Sequence, residues 1–114
     1  MAANRVLPMH VSGAETVTLN SPGYNVDRMK SGAFFLNVSA ASGTIPTLNV
    51  KIQDSPNGTD WYDLPSMAFT QATGVTSQRL SFAGPLGLYV RAVQTIGGTT
   101  PSFTYSLDAI LNEV

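Results

Sequence analysis

Apolar and polar residues alternate one for one along most of this chain, in short runs. The clearest run is residues 32–40, where Phe34, Leu36 and Val38 fall on one side and Phe35, Asn37 and Ser39 on the other. Residues 47–53 repeat the pattern, with Leu48, Val50 and Ile52 set against Thr47, Asn49, Lys51 and Gln53. A period of two puts alternate side chains on opposite faces of a β-strand, so each run predicts a strand with one buried face. The period recurs at 75–82, with Leu80 and Phe82 inward and Arg79 and Ser81 outward. It recurs again at 102–111, where Phe103, Tyr105, Leu107 and Ala109 share a face. Residues 88–96, LYVRAVQTI, read as a further strand. Weaker alternation predicts short strands at 14–20 (Val17, Leu19) and 67–71 (Met67, Phe69). No segment carries a helical period with caps.

Turn chemistry separates the runs. The strongest signal is Asp54-Ser55-Pro56-Asn57-Gly58-Thr59. Pro56 fixes φ near the value a turn's second position needs, and Asn57-Gly58 tolerates positive φ, which is expected at Gly58. Trp61, Tyr62 and Leu64 then restart a β-type run that Pro65 closes, so residues 47–64 read as a hairpin. Pro56, Gly58 and Trp61 are its expected structural anchors, with Trp61 packed in the core. The alternatives for Trp61 are contact with a partner, or a platform with Tyr62 and Tyr89 for a sugar ring. Other breaks are Ser21-Pro22-Gly23, a loop at 41–46 with Gly43 at positive φ, Ala72-Thr73-Gly74, a corner at 83–87 and a hairpin loop at 97–101. Residues 24–30 read as a polar connection.

Residues 1–13 hold Pro8 and Gly13 but no sustained period, and read as an extended arm with a short strand at 5–9. Residues 14–114 then form a single domain. Eight to nine short strands with frequent turns predict an all-β fold, an antiparallel β-sandwich. Jelly-roll and immunoglobulin-like wirings both fit, because periodicity fixes faces and not connections. No internal repeat is evident.

Composition narrows the partners. Only 11% of the 114 residues are charged and the net charge is −1, against roughly 25% charged residues in typical soluble domains. Thr, Ser, Asn and Gly make up the difference, which suits a surface packed against other protein. The six cations are scattered, and only Arg28 and Lys30 stand close together. Nucleic-acid binding needs a cluster of cations, so no nucleic-acid partner is expected. No apolar run approaches the roughly 20 residues of a membrane span. The first residues lack a basic head and a long apolar middle, so the chain is expected to be made and assembled in a cytoplasm.

Candidate chemistry is sparse. His10 is the one histidine and there is no cysteine; an exposed arm residue is expected there, with no ring-orienting partner for acid–base work. Asp54, Asn57, Asp60 and Asp63 cluster in the hairpin, but their spacing does not match a calcium loop and Pro56 occupies an alternate position. They read as turn formers. Asn37-Val38-Ser39 and Asn57-Gly58-Thr59 match the glycosylation sequon by chance. No nucleophile elbow or phosphate loop occurs. No catalytic residue, metal ligand or cofactor is assigned, and an enzyme is not expected.

The segment 32–65, GAFFLNVSAASGTIPTLNVKIQDSPNGTDWYDLP, resembles a pattern in small structural proteins of tailed bacteriophages. The matching positions are Phe34, Leu36, Val38, Gly43, Thr44, Pro46, Leu48, Val50, Ile52, Gln53, Ser55, Pro56, Gly58, Trp61, Asp63 and Leu64, and 88–93 (LYVRAV) also fits. The resemblance implies a β-sandwich module of a virion, of the kind found in capsid decoration (cement) proteins, with tail or adaptor components as alternatives. It carries no catalytic residues. The expectation is a virion structural protein that bridges capsid subunits, with the major capsid protein or another virion protein as partner. A homo-oligomer, such as a trimer at a lattice axis, would cover open sheet edges. A carbohydrate- or receptor-binding module is the other class. Val6, Leu7 and Met9 in the arm, and Tyr62, are the expected partner contacts.

Overall fold

Strand pairing in the computed structural model follows the alternation closely within the clear runs and departs from it at the corners and near the N-terminus. Residues 4–26, 29–84 and 86–113 are described. The first three residues of the expected arm, Arg28, the Lys30 side chain and Pro85 lie outside that set. The strands are β1 (Asn4–Glu15), β2 (Leu19–Asn20), β3 (Tyr24–Asn25), β4 (Met29–Ser55), β5 (Tyr62–Ala68), β6 (Thr76–Ala83) and β7 (Tyr89–Glu113). Every pairing is antiparallel, and no helix occurs among the described residues.

Two strands are much longer than predicted. β4 runs 27 residues and β7 runs 25. They stay paired from Met29↔Glu113 to Ser55↔Tyr89. The loops predicted at 41–46 and 97–101 are therefore not strand ends. They face each other and bend together, so the ribbon folds over without losing its partner. Each corner has the same sequence form, Gly-Thr-x-Pro: Gly43-Thr44-Ile45-Pro46 opposite Gly98-Thr99-Thr100-Pro101. The backbone matches too, with φ of 111° at Gly43 and 113° at Gly98, and 49° at both Ile45 and Thr100. A Cβ on Gly43 would stand 2.6 Å from the Thr100 carbonyl oxygen, and one on Gly98 2.7 Å from that of Ile45. Glycine is needed at both positions for this mutual approach. The corner is thus a short internal repeat with approximate twofold symmetry, which the sequence reading missed.

Folding at the corner makes the predicted sandwich. The front layer orders β1, residues 102–113 of β7, residues 29–42 of β4, then β6. The back layer orders β2 and β3, residues 89–97 of β7, residues 47–55 of β4, then β5. Cut at the corners, the seven strands give nine segments, the upper end of the expected range. Phe34, Leu36, Val38, Phe103, Tyr105 and Leu107 face inward from the front, and Leu48, Val50, Ile52, Val90 and Ala92 from the back, all at most 2% exposed. Burying side chains of this size contributes about 1.5–3 kcal/mol each, and this shared core holds the layers together.

The arm at 1–13 requires correction. From Asn4 onward it is β1, paired to β7 as far as Glu15↔Phe103. Leu7 and Met9 are core residues, 2% and 3% exposed. Tyr24 Oη donates to the Pro8 carbonyl at 3.1 Å, and the Arg5 guanidinium donates to the Asn25 carbonyl, fastening β1 to β3 in the back layer. Register shifts on both sides of His10 break the period of two, which is why alternation concealed this strand. The strand predicted at 14–20 shrinks to Leu19–Asn20, because residues 16–18 cross between layers. The connection at 24–30 includes β3, followed by the buried Val26. Of the separate strand expected at 67–71, only Met67 and Ala68 are strand; they join β5 through a bulge at Ser66, whose φ is 61°, and residues 69–71 fall beyond its end.

Candidate interaction surfaces

The hairpin loop places aromatic and charged groups at one end of the back layer. Ser55 is fully buried. Its Oγ accepts from Asn57 N at 3.2 Å and Gly58 N at 2.8 Å. The Asn57 side-chain oxygen accepts from Thr59 N at 2.8 Å and Asp60 N at 2.9 Å. Gly58 has the expected positive φ, 80°. Ser55 and Asn57 tie the loop, while Pro56 stands exposed within it.

Trp61 is not in the core. It has the parity of Asp63, whose partner Gln53 points outward, so it emerges on the outer face of the back layer, half-buried. The Arg91 guanidinium lies over its ring, 4.5 Å from the centroid. Gly23 abuts the ring edge, where a Cβ would come within 3.0 Å. Arg91 Nε donates to Gln53 Oε1 at 2.9 Å, and Gln53 Nε2 donates to Asp63 Oδ1 at 2.8 Å. Lys51 completes the chain as an ion pair with Asp63 at 3.1 Å. The hydrogen bond from Gln53, and next that from Lys51, hold the Asp63 carboxyl below its ordinary value. These outward groups satisfy one another. Tyr62 is 60% exposed beside them.

The outer face of the front layer is built differently. Its rows run Val6–Ile110–Ala33–Ser81 and Pro8–Asp108–Phe35–Arg79 across β1, β7, β4 and β6. Val6 is 62% exposed and Ile110 39%. Arg79 sits 5.5 Å from the Phe35 centroid and donates to Ser81 Oγ at 2.6 Å. Beside Phe35 lies a shallow hollow of about 390 Å³, lined by Ala33, Ser81, Phe82, Ile110 and neighbours. Asp108 has no salt bridge among the described residues. The alternation had put Phe35 outward, and a large aromatic on an otherwise polar face was the available signal for this surface.

The corner end forms a third surface. Residues 16–18, 40–48, 70–77 and 94–102 meet there, where the ribbon bends and the chain twice crosses between layers, and none of them is charged. Val17, Ile45 and Val75 project from it, 66%, 81% and 74% exposed. Ile45 carries its positive φ at a β-branched residue, a strained setting held by the paired corner.

The site residues expected from sequence therefore divide. Val6 and Tyr62 are exposed, whereas Leu7 and Met9 are internal and unable to touch a partner. His10, expected exposed, is 8% exposed. Its Nδ1 lies 2.9 Å from the Tyr105 carbonyl oxygen and its Nε2 2.7 Å from Glu15 Oε2. Its ring stacks on Tyr105 at 4.0 Å. Tyr105 Oη in turn donates to Gln94 Oε1 at 2.5 Å, inside the core. Both histidine nitrogens are engaged, Nδ1 across to β7 and Nε2 within β1, a structural role. Among the described residues no group of three or more acidic, histidine or cysteine side chains could hold a metal ion.

Comparison by sequence finds no relative: no protein-family model matches, and no curated protein matches. Comparison of folds does. The chain superposes on the SPBc2 prophage-derived protein YomS with a TM-score of 0.58 at 11% identity, over 99% of this chain and 96% of that one. It superposes on a chain of infectious bursal disease virus, Gx strain, with a TM-score of 0.57 at 14% identity, over 99% of this chain but only 33% of the viral one. A carbohydrate-binding domain, CBM36-1, of a multidomain xylanase from the hindgut metagenome of Trinervitermes trinervoides gives 0.48 at 8% identity, over 95% and 96% of the two chains. At these identities the likeness is one of fold: an antiparallel, sandwich-like all-β domain shared with phage- and virus-derived proteins.

Proposed function

We propose that this protein is a non-enzymatic structural component of a virion, a decoration (cement) protein that docks on the capsid and bridges neighbouring capsid subunits. The observation that carries this reading is the corner end. It gathers an uncharged, threonine- and glycine-rich surface around three exposed aliphatic side chains, Val17, Ile45 and Val75. A surface without charge gains affinity from buried apolar area and hydrogen bonds, and many copies on a lattice add avidity. Two solved structures that share the fold are of a prophage-derived protein and a virus, which supports the setting. The partner is the major capsid protein or another virion protein, and the place is the virion. Nothing favours a sugar platform at Trp61, whose ring face is covered by Arg91.

The test is binding to particles stripped of the protein. Wild type should bind with little change between about 50 and 500 mM salt, since screening weakens exposed charge pairs and leaves apolar contacts intact. Ile45→Asp and Val75→Asp should abolish binding while keeping the fold. Release by moderate salt, or full binding by both variants, would refute docking through the corner end.

A further inference from the structure

We propose that the outer face of the front layer is the interface with a second copy of this chain, in a twofold dimer whose axis runs along β4 over Phe35. Strand register supplies the geometry. Within one row Asp108 is the partner of Phe35 on one side and Arg79 its partner on the other. A twofold along β4 places Phe35 over its own copy. The same rotation lays each Asp108 against the second copy's Arg79, twice per dimer. The face is self-complementary in charge, as an isologous interface requires. In the next row the rotation sets Ala33 over its own copy and Ser81 over Ile110 of the second copy, small against large.

The surroundings agree with this occupant. Between Ser31 and Val38 the outward residues of β4 and β6 are Ser31, Ala33, Phe35, Asn37, Ser77, Arg79, Ser81 and Ala83. Apart from Phe35 and Arg79 these side chains are short, so two sheets can approach to about the usual 10 Å. Three strands overlap, β7, β4 and β6, because the axis over β4 carries β1 past the edge of the second copy; over eight residues they present about 380 Å² per copy, or about 760 Å² in the pair, the size of a weak interface. The outer face of the back layer cannot serve in the same way, because Arg91, Gln53, Asp63 and Lys51 are already engaged with one another.

A twofold parallel to the strands leaves both corner ends pointing the same way, within the roughly 30° by which packed sheets rotate. If the corner end docks on the capsid, one dimer holds two subunits. That consequence rests on the proposed function; the dimer itself does not.

Sedimentation velocity on the purified chain, at concentrations up to about 200 μM, where an interface this small associates, tests the dimer away from any particle. Wild type should be a monomer–dimer equilibrium. Arg79→Asp, which sets like charges together at both contacts, should raise the dissociation constant at least about tenfold, and Phe35→Ser should do the same. The exchange Arg79→Asp with Asp108→Arg should restore it to within about threefold. Wild type that stays monomeric or forms a trimer, a dimer indifferent to Arg79→Asp and Phe35→Ser, or an exchange that fails to restore association would each overturn the proposal. Particle binding by a chain that stays monomeric would leave the cement reading standing and remove only the dimer.

Discussion

The two outer faces are cut from the same ribbon, yet they end in opposite states. On the back layer, Trp61, Arg91, Gln53, Asp63 and Lys51 form a continuous chain of contacts, and each charge has a neighbour that answers it. On the front layer, Val6 and Ile110 stand exposed, and Arg79 covers Phe35 and forms no salt bridge among the described residues. The lesson is that surface aromatics mark a partner site only when their polar neighbours are unfinished. Trp61 is the larger aromatic, but its face is closed; Phe35 is smaller, and its surroundings remain open.

The largest expected effect separates either face from the core beneath. Phe103→Ala should cost about 3–5 kcal/mol in a denaturant titration, as for other buried aromatics, whereas Trp61→Ala should cost about 1 kcal/mol, the scale of one exposed cation–π contact. Equal costs would return Trp61 to the core. Next comes the corner that makes two faces from one ribbon. Gly98→Ala should destabilise by about 2–4 kcal/mol, through a Cβ forced against the Ile45 carbonyl, and Gly74→Ala, with open space around it, by much less.

Two smaller effects are read by pH. Burial, and next the charge of Glu15, push the Tyr105 phenol well above its ordinary 10.0. The folded state then holds that proton more tightly than the unfolded one. Its stabilisation is complete below pH 10 and fades as pH rises beyond, so alkaline melting should steepen in wild type and flatten in Tyr105→Phe. Asp63 behaves oppositely: its carboxyl is lowered from 3.8, so its contribution is present above that value and fades as pH falls through the folded value. Asp63→Asn should remove this slight acid dependence from thermal melts, and Arg79→Asp, on the front face, should leave it unchanged.

Much of the fold was legible in the chain. Strict alternation at 32–40, 47–53, 75–82 and 102–111 identified the inward residues, because in a two-layer sandwich the buried face depends only on the period of two. Gly58 at the hairpin tip was equally legible, since Asn-Gly encodes its own backbone. What alternation cannot show is continuity. Gly-Thr-Ile-Pro and Gly-Gly-Thr-Thr-Pro read locally as loops, and only their pairing with each other makes them a corner. Bulges around His10 hid β1 in the same way. Of the surfaces, Val6 and Tyr62 were legible as exposed, but Leu7, Met9 and Trp61 were placed on the wrong side, each by one step of parity or one bulge. The uncharged corner end could not be seen beforehand, because its four segments are distant in sequence and meet only after the ribbon folds.

The most direct test of the central claim, that the corner end docks on a capsid, is imaging of intact particles assembled with this protein. Density for the chain is expected on the outer capsid surface, with Ile45, Val17 and Val75 directed into the capsid and the hairpin loop at Asn57 directed away. Density confined to the neck or tail, or a chain whose corner end points into solvent, would contradict it.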